Sequence, residues 1–331
     1  METDKLKIYR NMLKSSDIDE LESIRPDCQK GIPEPYAFKP YNLEDKLIKL
    51  CEIEDTDFEF LNFFEIIKNR KSRRVFSGEK ITFKELSFLL RVSCGVREIK
   101  NDRIFRTAPS ACCRHPFETY VVINKVEELK SGLYRYFPPE NALILLKEGD
   151  FGEKSVELFK NQKFVNNSAI NIIWTVVPYR SEWRSGTASH KLSAIDIGHY
   201  CQNAYLGAEA LNLGCCAIAS YNQKMCDDFL GVDGEEEYTA WNSARVCSSV
   251  IASTAGVCSV GVSMVVSVVV SSVGVLVVVL FLLPPRAGLR MPMASRSTRA
   301  MNHQRFQSGF LPFEAAGGTE EVMVVLIYGK G

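Results

Sequence analysis

The sequence predicts an α+β fold: a mixed or antiparallel central sheet flanked by helices, with an atypical apolar insertion before the last strand. Three observations predict it. From Phe60 to Tyr238 strand-like and helix-like runs interleave along the chain. Ala169 to Val177 is a largely apolar run rich in β-branched residues, the mark of a strand buried at the centre of a sheet. Ser193 to Leu213 repeats apolar residues at helical spacing, through Ile197, Cys201, Ala204, Ala208 and Leu211, and Gly214 is expected to end that helix as a C-cap.

The elements follow in order. Residues 1–58 are polar and interrupted by Pro26, Pro33, Pro35 and Pro40, and read as a loosely packed extension with short helices. Residues 59–238 form the main domain. It opens with an apolar helical run from Phe60 to Ile67. Thr82 and Glu85 then mark a helix start as a capping box, and the helix runs over Ile81 to Arg91. Strands are expected at Thr119–Ile123, Gly132–Tyr136 and, after a turn at Pro138-Pro139, at Leu143–Leu146. Val322 to Tyr328 reads as the last strand, within a closing segment 319–331 assigned to the same domain.

Residues 239–318 do not fit this pattern. From Val246 to Pro285 forty residues pass without a charge, and thirteen of the 27 residues from Val257 to Leu283 are valine. Three readings compete. A transmembrane helix needs about 20 apolar residues. Ser259, Ser263, Ser267 and Ser271 fall at small-xxx-small spacing, and Arg286, Arg290, Arg296 and Arg299 would lie on the cytoplasmic side. A pair of buried strands would suit the valines. The third reading is a translated non-coding tract, because these residues are encoded by codons made mostly of G and T. Joining Glu237 to Val322 gives a turn running straight into an apolar strand.

Composition narrows the function classes. Lys plus Arg and Asp plus Glu both number 40, so the chain lacks the positive field of a nucleic-acid binder. Met1 to Lys5 is charged and carries no signal-peptide core, and a cytoplasmic location is expected. Eleven cysteines without a C-x-x-C pair, and only four histidines, offer neither the common zinc spacings nor a tidy disulfide framework. Reduced thiols and no metal are the expectation.

Arg70-Lys71-Ser72-Arg73-Arg74 carries the first chemical signal. In an extended backbone Arg70, Ser72 and Arg74 point the same way, and two guanidiniums with a hydroxyl suit a phosphate dianion. A solvated basic turn is the plain alternative. The second is Pro109-Ser110-Ala111-Cys112-Cys113-Arg114-His115, where proline and small residues let a flat ligand approach the backbone. The adjacent cysteines invite a redox role, but packing is favoured, because a vicinal disulfide is strained. His115 could serve as acid or base, or as a loop histidine at a ligand's edge. The third is Gly214 to Ser220, a helix end running into a small-residue strand, which a tight turn alone would also explain. A phosphate cluster with two small-residue loops fits a mononucleotide. No Gly-x-Gly-x-x-Gly fingerprint or P-loop is present.

These motifs, in order, resemble the nitroreductase family of FMN enzymes, in the branch that includes azoline dehydrogenases. The matching elements are Arg70 to Phe76; Pro109 to Ala111 with Arg114 to Tyr120 and Gly132 to Tyr136; Asp196 to Asn203 with Ala208 to Gly214; and Leu230 to Glu235. The resemblance implies a homodimer of nitroreductase-like fold with FMN at the subunit interface. Arg70, Lys71, Ser72 and Arg74 would hold its phosphate and ribityl chain. Pro109, Ser110 and Ala111 would line one ring edge, Ala219 and Ser220 would lie near N5, and Lys330 would add a phosphate contact. NADH or NADPH would reduce the flavin, and a small acceptor such as a nitroaromatic or quinone would reoxidise it in a ping-pong cycle.

Two departures stand out. Azoline dehydrogenases carry a Lys-Tyr pair upstream of the helix aspartate, where this chain has Arg184-Ser185. Cys112-Cys113 replaces the usual glycines. A general flavin reductase is therefore favoured. The alternatives are an azoline or peptide dehydrogenase using Arg184 as base, a non-catalytic or membrane-tethered flavin-binding protein, and a gene product without function. The flavin itself carries the chemistry, leaving Arg184 and His115 as the side-chain candidates for catalysis.

Overall fold

The computed structural model describes residues 2–14, 25–54, 57–100, 103–248, 263–271, 274–282, 306–315 and 318–328. The chain divides into two compact units, Met1–Val250 and Ile251–Gly331.

The first unit is built on a seven-stranded sheet. Its strands are β1 (Leu47–Lys49), β4 (Phe117–Ile123), β5 (Gly132–Phe137), β6 (Ala142–Glu148), β7 (Ile170–Val176), β8 (Leu213–Ile218) and β9 (Tyr238–Ser248), in the order β1-β6-β5-β4-β7-β9-β8. All six neighbouring pairs are antiparallel. Two short strands, β2 (Val96–Lys100) and β3 (Arg103–Arg106), form a separate hairpin.

Helices cover both faces, which is why β4 and β7 are buried at every position, the polar Glu118, Thr119, Asn171 and Thr175 included. On one face α3 (Phe83–Cys94) and α6 (Ser189–Ala210) pack against Val121, Tyr134, Ile172 and Trp174. Leu86, Leu89 and Leu90 sit at helical spacing on α3 and are fully buried, so truncating any one to alanine is worth about 2–5 kcal/mol. On the other face α4 (Gly152–Leu158) and α7 (Gln223–Leu230) cover Tyr120, Val122, Leu133 and Ile173 through Leu158, Phe159, Phe229 and Leu230. The capping box forms as expected: Thr82 Oγ1 accepts from Glu85 N and the Glu85 carboxylate accepts from Thr82 N.

Three placements differ from expectation. The long helix runs from Ser189 to Ala210, and Gly214 is not its cap. Asn212 takes the left-handed conformation (φ 57°), and Gly214 lies inside β8, where a Cβ would come within 3.3 Å of Phe76 Cε1. The N-terminal extension is not merely loose, because β1 pairs with β6 and contributes a sheet edge. Finally, the expected insertion begins at 239, yet Tyr238–Ser248 is a sheet strand paired between β7 and β8.

The second unit is a four-stranded antiparallel sheet, β10 (Ser263–Ser271), β11 (Gly274–Leu282), β12 (Phe306–Ala315) and β13 (Gly318–Tyr328), ordered β10-β11-β13-β12. The described part of the valine-rich segment is therefore extended, in line with valine's β preference and against the membrane-helix reading. No helix among the described residues is long and apolar enough to cross a membrane. Val322 to Tyr328 is a strand as expected, but it pairs with β11 and β12 in this second unit instead of closing the first unit's sheet as residues 319–331 were expected to do.

Candidate functional site

The basic cluster begins where a helix ends. In α2 (Phe63–Asn69) the Asn62 side chain accepts from Glu65 N, and Arg70 N donates to Ile66 O before ψ swings to 121° and the chain leaves the helix. The next residues run extended beside β8: Ser72 forms a parallel bridge with Cys215, and Arg73 N donates to Cys215 O at 2.9 Å. Alternation then sorts the side chains. The Arg70 guanidinium lies 5.3 Å from the Tyr205 ring centroid. Ser72 Oγ is 2.8 Å from the Tyr205 hydroxyl. That hydroxyl also accepts from Ala217 N at 2.7 Å, which locks it against β8. When Tyr205 donates to Ser72, the Ser72 proton is available to an incoming oxyanion.

Arg73 makes a two-pronged ion pair with Glu209, one helical turn beyond Tyr205 on the same face of α6. Its charge is thereby committed. Arg70, Lys71 and Arg74 have no carboxylate within ion-pair distance among the described residues, and Lys71, Ser72 and Arg74 are exposed. Ser72, held by Tyr205, is thus flanked in sequence by three cations without an ion-pair partner among the described residues.

The second constellation is held from the opposite end of the same helix. Asp196 accepts from Ser110 Oγ at 2.5 Å and from Ala111 N at 3.1 Å. Ser110 Oγ in turn accepts from His115 N at 2.9 Å. Ser110 thus folds its own loop and leaves Pro109, which is exposed, on the surface. Burial pushes the Asp196 carboxyl above its usual value, against the pull of the Ser110 and Ala111 hydrogen bonds.

The turn that follows, Ala111–Cys113, is strained: Cys112, Cys113 and His115 hold φ of 52°, 54° and 46°. These are glycine-like conformations occupied by cysteine and histidine. Cys112 is exposed and packs little. Cys112→Gly is therefore expected to leave thermal stability within about 1 kcal/mol, relief of strain offsetting glycine's chain entropy. Cys112→Val, β-branched at positive φ, should lower it by about 1–2 kcal/mol. Equal effects in thermal melts would show that the backbone there is relaxed.

His115 is buried, with Nδ1 3.4 Å from the Tyr200 hydroxyl. Burial first, then the positive charge of Arg106, hold its pKa down at about 3, while a hydrogen bond to the Ile104 backbone opposes them. It is neutral near pH 7 and suits neither proton donation nor a pH switch there. The unfolded chain, with an ordinary histidine at 6.5, binds that proton first. His115 accordingly withdraws stability as pH falls from 6.5 toward 3.

Arg184 is exposed and donates to Cys28 Sγ at 3.6 Å. That hydrogen bond raises its pKa further above the already high ordinary value, so it remains a cation and cannot act as a base. Ala219 and Ser220 follow β8 and are exposed, with Gln162 Nε2 donating to Ser220 O at 3.3 Å. Lys330 lies outside the described residues. None of the described cysteines whose side chains are placed is in a disulfide, and no described cluster of His, Cys, Asp and Glu is arranged to hold a metal ion.

The two constellations do not meet in one pocket of one chain. Asp196 and Tyr205 are nine residues apart on α6, so at about 100° and 1.5 Å per residue they lie on opposite sides of the helix, about 13 Å apart along it. The Arg70–Arg74 segment and the Pro109–Ala111 loop are thus anchored on opposite sides of α6.

Comparison with known proteins identifies this scaffold. Residues 67–242, more than half of the chain, match the model of the Nitroreductase family. The chain belongs to the nitroreductase family. A protein named "Putative nitroreductase" from Methanocaldococcus jannaschii is 27% identical over 170 residues, which is 51% of this chain and 84% of that protein. A crystal structure of a nitroreductase-family protein from Ralstonia eutropha superimposes with TM-score 0.52 at 23% identity, covering 66% of this chain and 94% of the other. This second likeness bears on the fold alone. A longer protein from Anabaena variabilis matches at TM-score 0.49 and 23% identity over 56% of this chain, which spans only 37% of that protein.

In this nitroreductase-family chain the residues that organise the site were less visible in sequence than those exposed on it. Asp196, Tyr205 and Glu209 position the Ser110 loop, Ser72 and Arg73 respectively. Tyr-x-x-x-Glu on one helix face, at Tyr205 and Glu209, was the available signal for two of them.

Proposed function

We propose that the protein is an FMN-dependent oxidoreductase. It would take hydride from NADH or NADPH and pass it to a small acceptor such as a nitroaromatic or quinone, in alternating half-reactions. The single observation that carries this reading is the cradle at Arg70, Lys71, Ser72 and Arg74. Its cations lack counter-charges among the described residues, while Arg73 is neutralised by Glu209.

The residues present fit the group. Arg70 and Arg74 would grip the FMN phosphate, with Lys71 adding charge and Ser72, oriented by Tyr205, donating a hydrogen bond. When bound, the flavin ring supplies the hydride-accepting and hydride-donating chemistry. The Pro109–Ala111 loop, held by Asp196, would present backbone to a ring edge. Because it faces away from the cradle on α6, each ring would be completed by the loop of a second copy, which favours a homodimer with two shared sites. Ala219 and Ser220, exposed at the end of β8, lie just beyond the strand that bridges to Ser72.

The test is the visible absorption spectrum of the purified full-length chain before and after anaerobic NADH or NADPH. A flavin band that bleaches is the expected result. A protein that is folded yet colourless, and takes up no added FMN, would overturn the reading. Flavin that binds without bleaching would instead indicate a non-catalytic flavin carrier.

A further inference from the structure

A cleft of about 590 Å³ opens beside the Ala111–Cys113 turn, separate from the phosphate cradle. Four arginines line it, Arg103, Arg106, Arg114 and Arg184, against one carboxylate, Glu34. Glu34 is committed to Arg114, which also donates to the Arg180 carbonyl. The other three cations are left without an acid. Arg103 has no polar side-chain partner among the described residues, and the partners of the Arg184 guanidinium are the thiols of Cys28 and Cys112, not a carboxylate.

Arg106 is the decisive residue. It is 4% exposed, yet Nη1 makes only long hydrogen bonds, 3.3 Å to the Tyr200 hydroxyl and 3.5 Å to the Phe117 carbonyl. Its Nε has no partner at all. A buried guanidinium left short of acceptors is unfavourable, and so are like charges gathered on one low-dielectric wall. An oxyanion in the cleft would relieve both, because guanidinium geometry matches a carboxylate's two oxygens.

The walls also define what carries that anion. The Phe38 ring lies 4.7 Å from the Arg106 guanidinium, and the Trp183 ring 4.9 Å from that of Arg114. Flat apolar surfaces beside cations suit a planar ring bearing a carboxylate, and the volume lies in the range of small-molecule sites. Cys112 and Cys113, on the cleft wall, continue directly from Pro109–Ala111. The cleft therefore begins where the loop assigned to the flavin ring edge ends.

We infer that this cleft binds the carboxylate of a planar aromatic acceptor, so that the reductase prefers anionic aromatic substrates to neutral ones. As a substrate assignment this rests on the reading proposed above; as a binding site it does not.

The experiment is equilibrium binding of para-nitrobenzoate and of its neutral counterpart, para-nitrobenzamide, to the full chain at low ionic strength without nicotinamide. The carboxylate is expected to bind at least about tenfold more tightly, a difference of about 1.4 kcal/mol. Arg103→Ser with Arg184→Ser, both on the exposed rim, should weaken the carboxylate about tenfold and leave the amide unchanged. Arg106→Gln should weaken it further; if that variant fails to fold, the rim double variant decides. Equal affinities, undetectable carboxylate binding, or an undiminished affinity in the double variant would each overturn the inference. A chain that binds the carboxylate selectively but does not bleach with NADH would sink only the reductase reading. Bleaching without selectivity would sink only the cleft.

Discussion

Replacing Arg70 and Arg74 together by alanine is expected to abolish stable FMN binding while leaving the fold intact. Both act through charge: Arg74 is exposed, Arg70 half-buried, and neither holds a carboxylate of the protein. Each charge-assisted contact to a phosphate is worth about 1.5–3 kcal/mol. Losing both should raise the dissociation constant by about two to four decades at about 1.4 kcal/mol per decade. The measurement is fluorescence titration of the apoprotein with FMN, accompanied by a thermal melt. An unchanged affinity would remove the phosphate assignment. Arg73→Ala is the informative contrast. It strands Glu209, whose side chain is 6% exposed, so stability should fall by about 3 kcal/mol. Loss of melting temperature with Arg73→Ala, and loss of flavin with the Arg70/Arg74 pair, would separate two roles within one pentapeptide.

Glu118→Ala is expected to produce the largest loss of stability of any single change at an ionic group in the first unit. Glu118 and Arg180 are 2% and 4% exposed. Glu118 Oε1 accepts from Arg180 Nη2 at 2.6 Å and from Lys39 N at 2.7 Å. Removing the carboxylate strands a buried guanidinium whose Nη1 already lacks a partner, and unhooks residue 39 of the N-terminal segment from β4. Breaking such a pair costs about 3–5 kcal/mol. In a unit of this size that is on the order of 10 °C in melting temperature. Glu118→Leu with Arg180→Leu should recover much of the loss, because the desolvation penalty of both charges disappears with them. A melting temperature unchanged in Glu118→Ala would mean that water, not Glu118, satisfies Arg180.

Much of the first unit's architecture was legible before any coordinates. The capping box at Thr82 and Glu85, the strands at 119–123, 132–136 and 143–146, and the buried run at 170–176 depend on neighbours within a few positions. Their physical causes, orphan helix N–H groups and the two-residue period of a pleated strand, are written locally. The cradle was legible for the same reason: Arg70, Ser72 and Arg74 alternate, and they do so in an extended segment bridged to β8. The cap at Gly214 was misplaced because either a helix end or a close backbone approach calls for glycine. The approach of Phe76 and Arg73, distant from Gly214 in sequence, decides between them.

Partner choice across long sequence separations was not legible. Nothing near Ser110 announces that Asp196 would hold it, and nothing near Arg73 announces Glu209. The described part of the valine-rich segment forms paired strands and not a membrane helix, because length and hydropathy do not separate a helix from two strands when β-branched residues dominate. The sequence by itself determined the family resemblance, most of the local elements and the alternation of Arg70, Ser72 and Arg74. Only the tertiary structure decided that Tyr238–Ser248 is a strand inserted between β7 and β8, that cradle and ring-edge loop lie on opposite sides of α6, and that three arginines without acids converge on one cleft. The reason is physical: propensity and period act over a few residues, whereas ion pairing, sheet neighbours and clefts depend on which distant segments the buried core brings together.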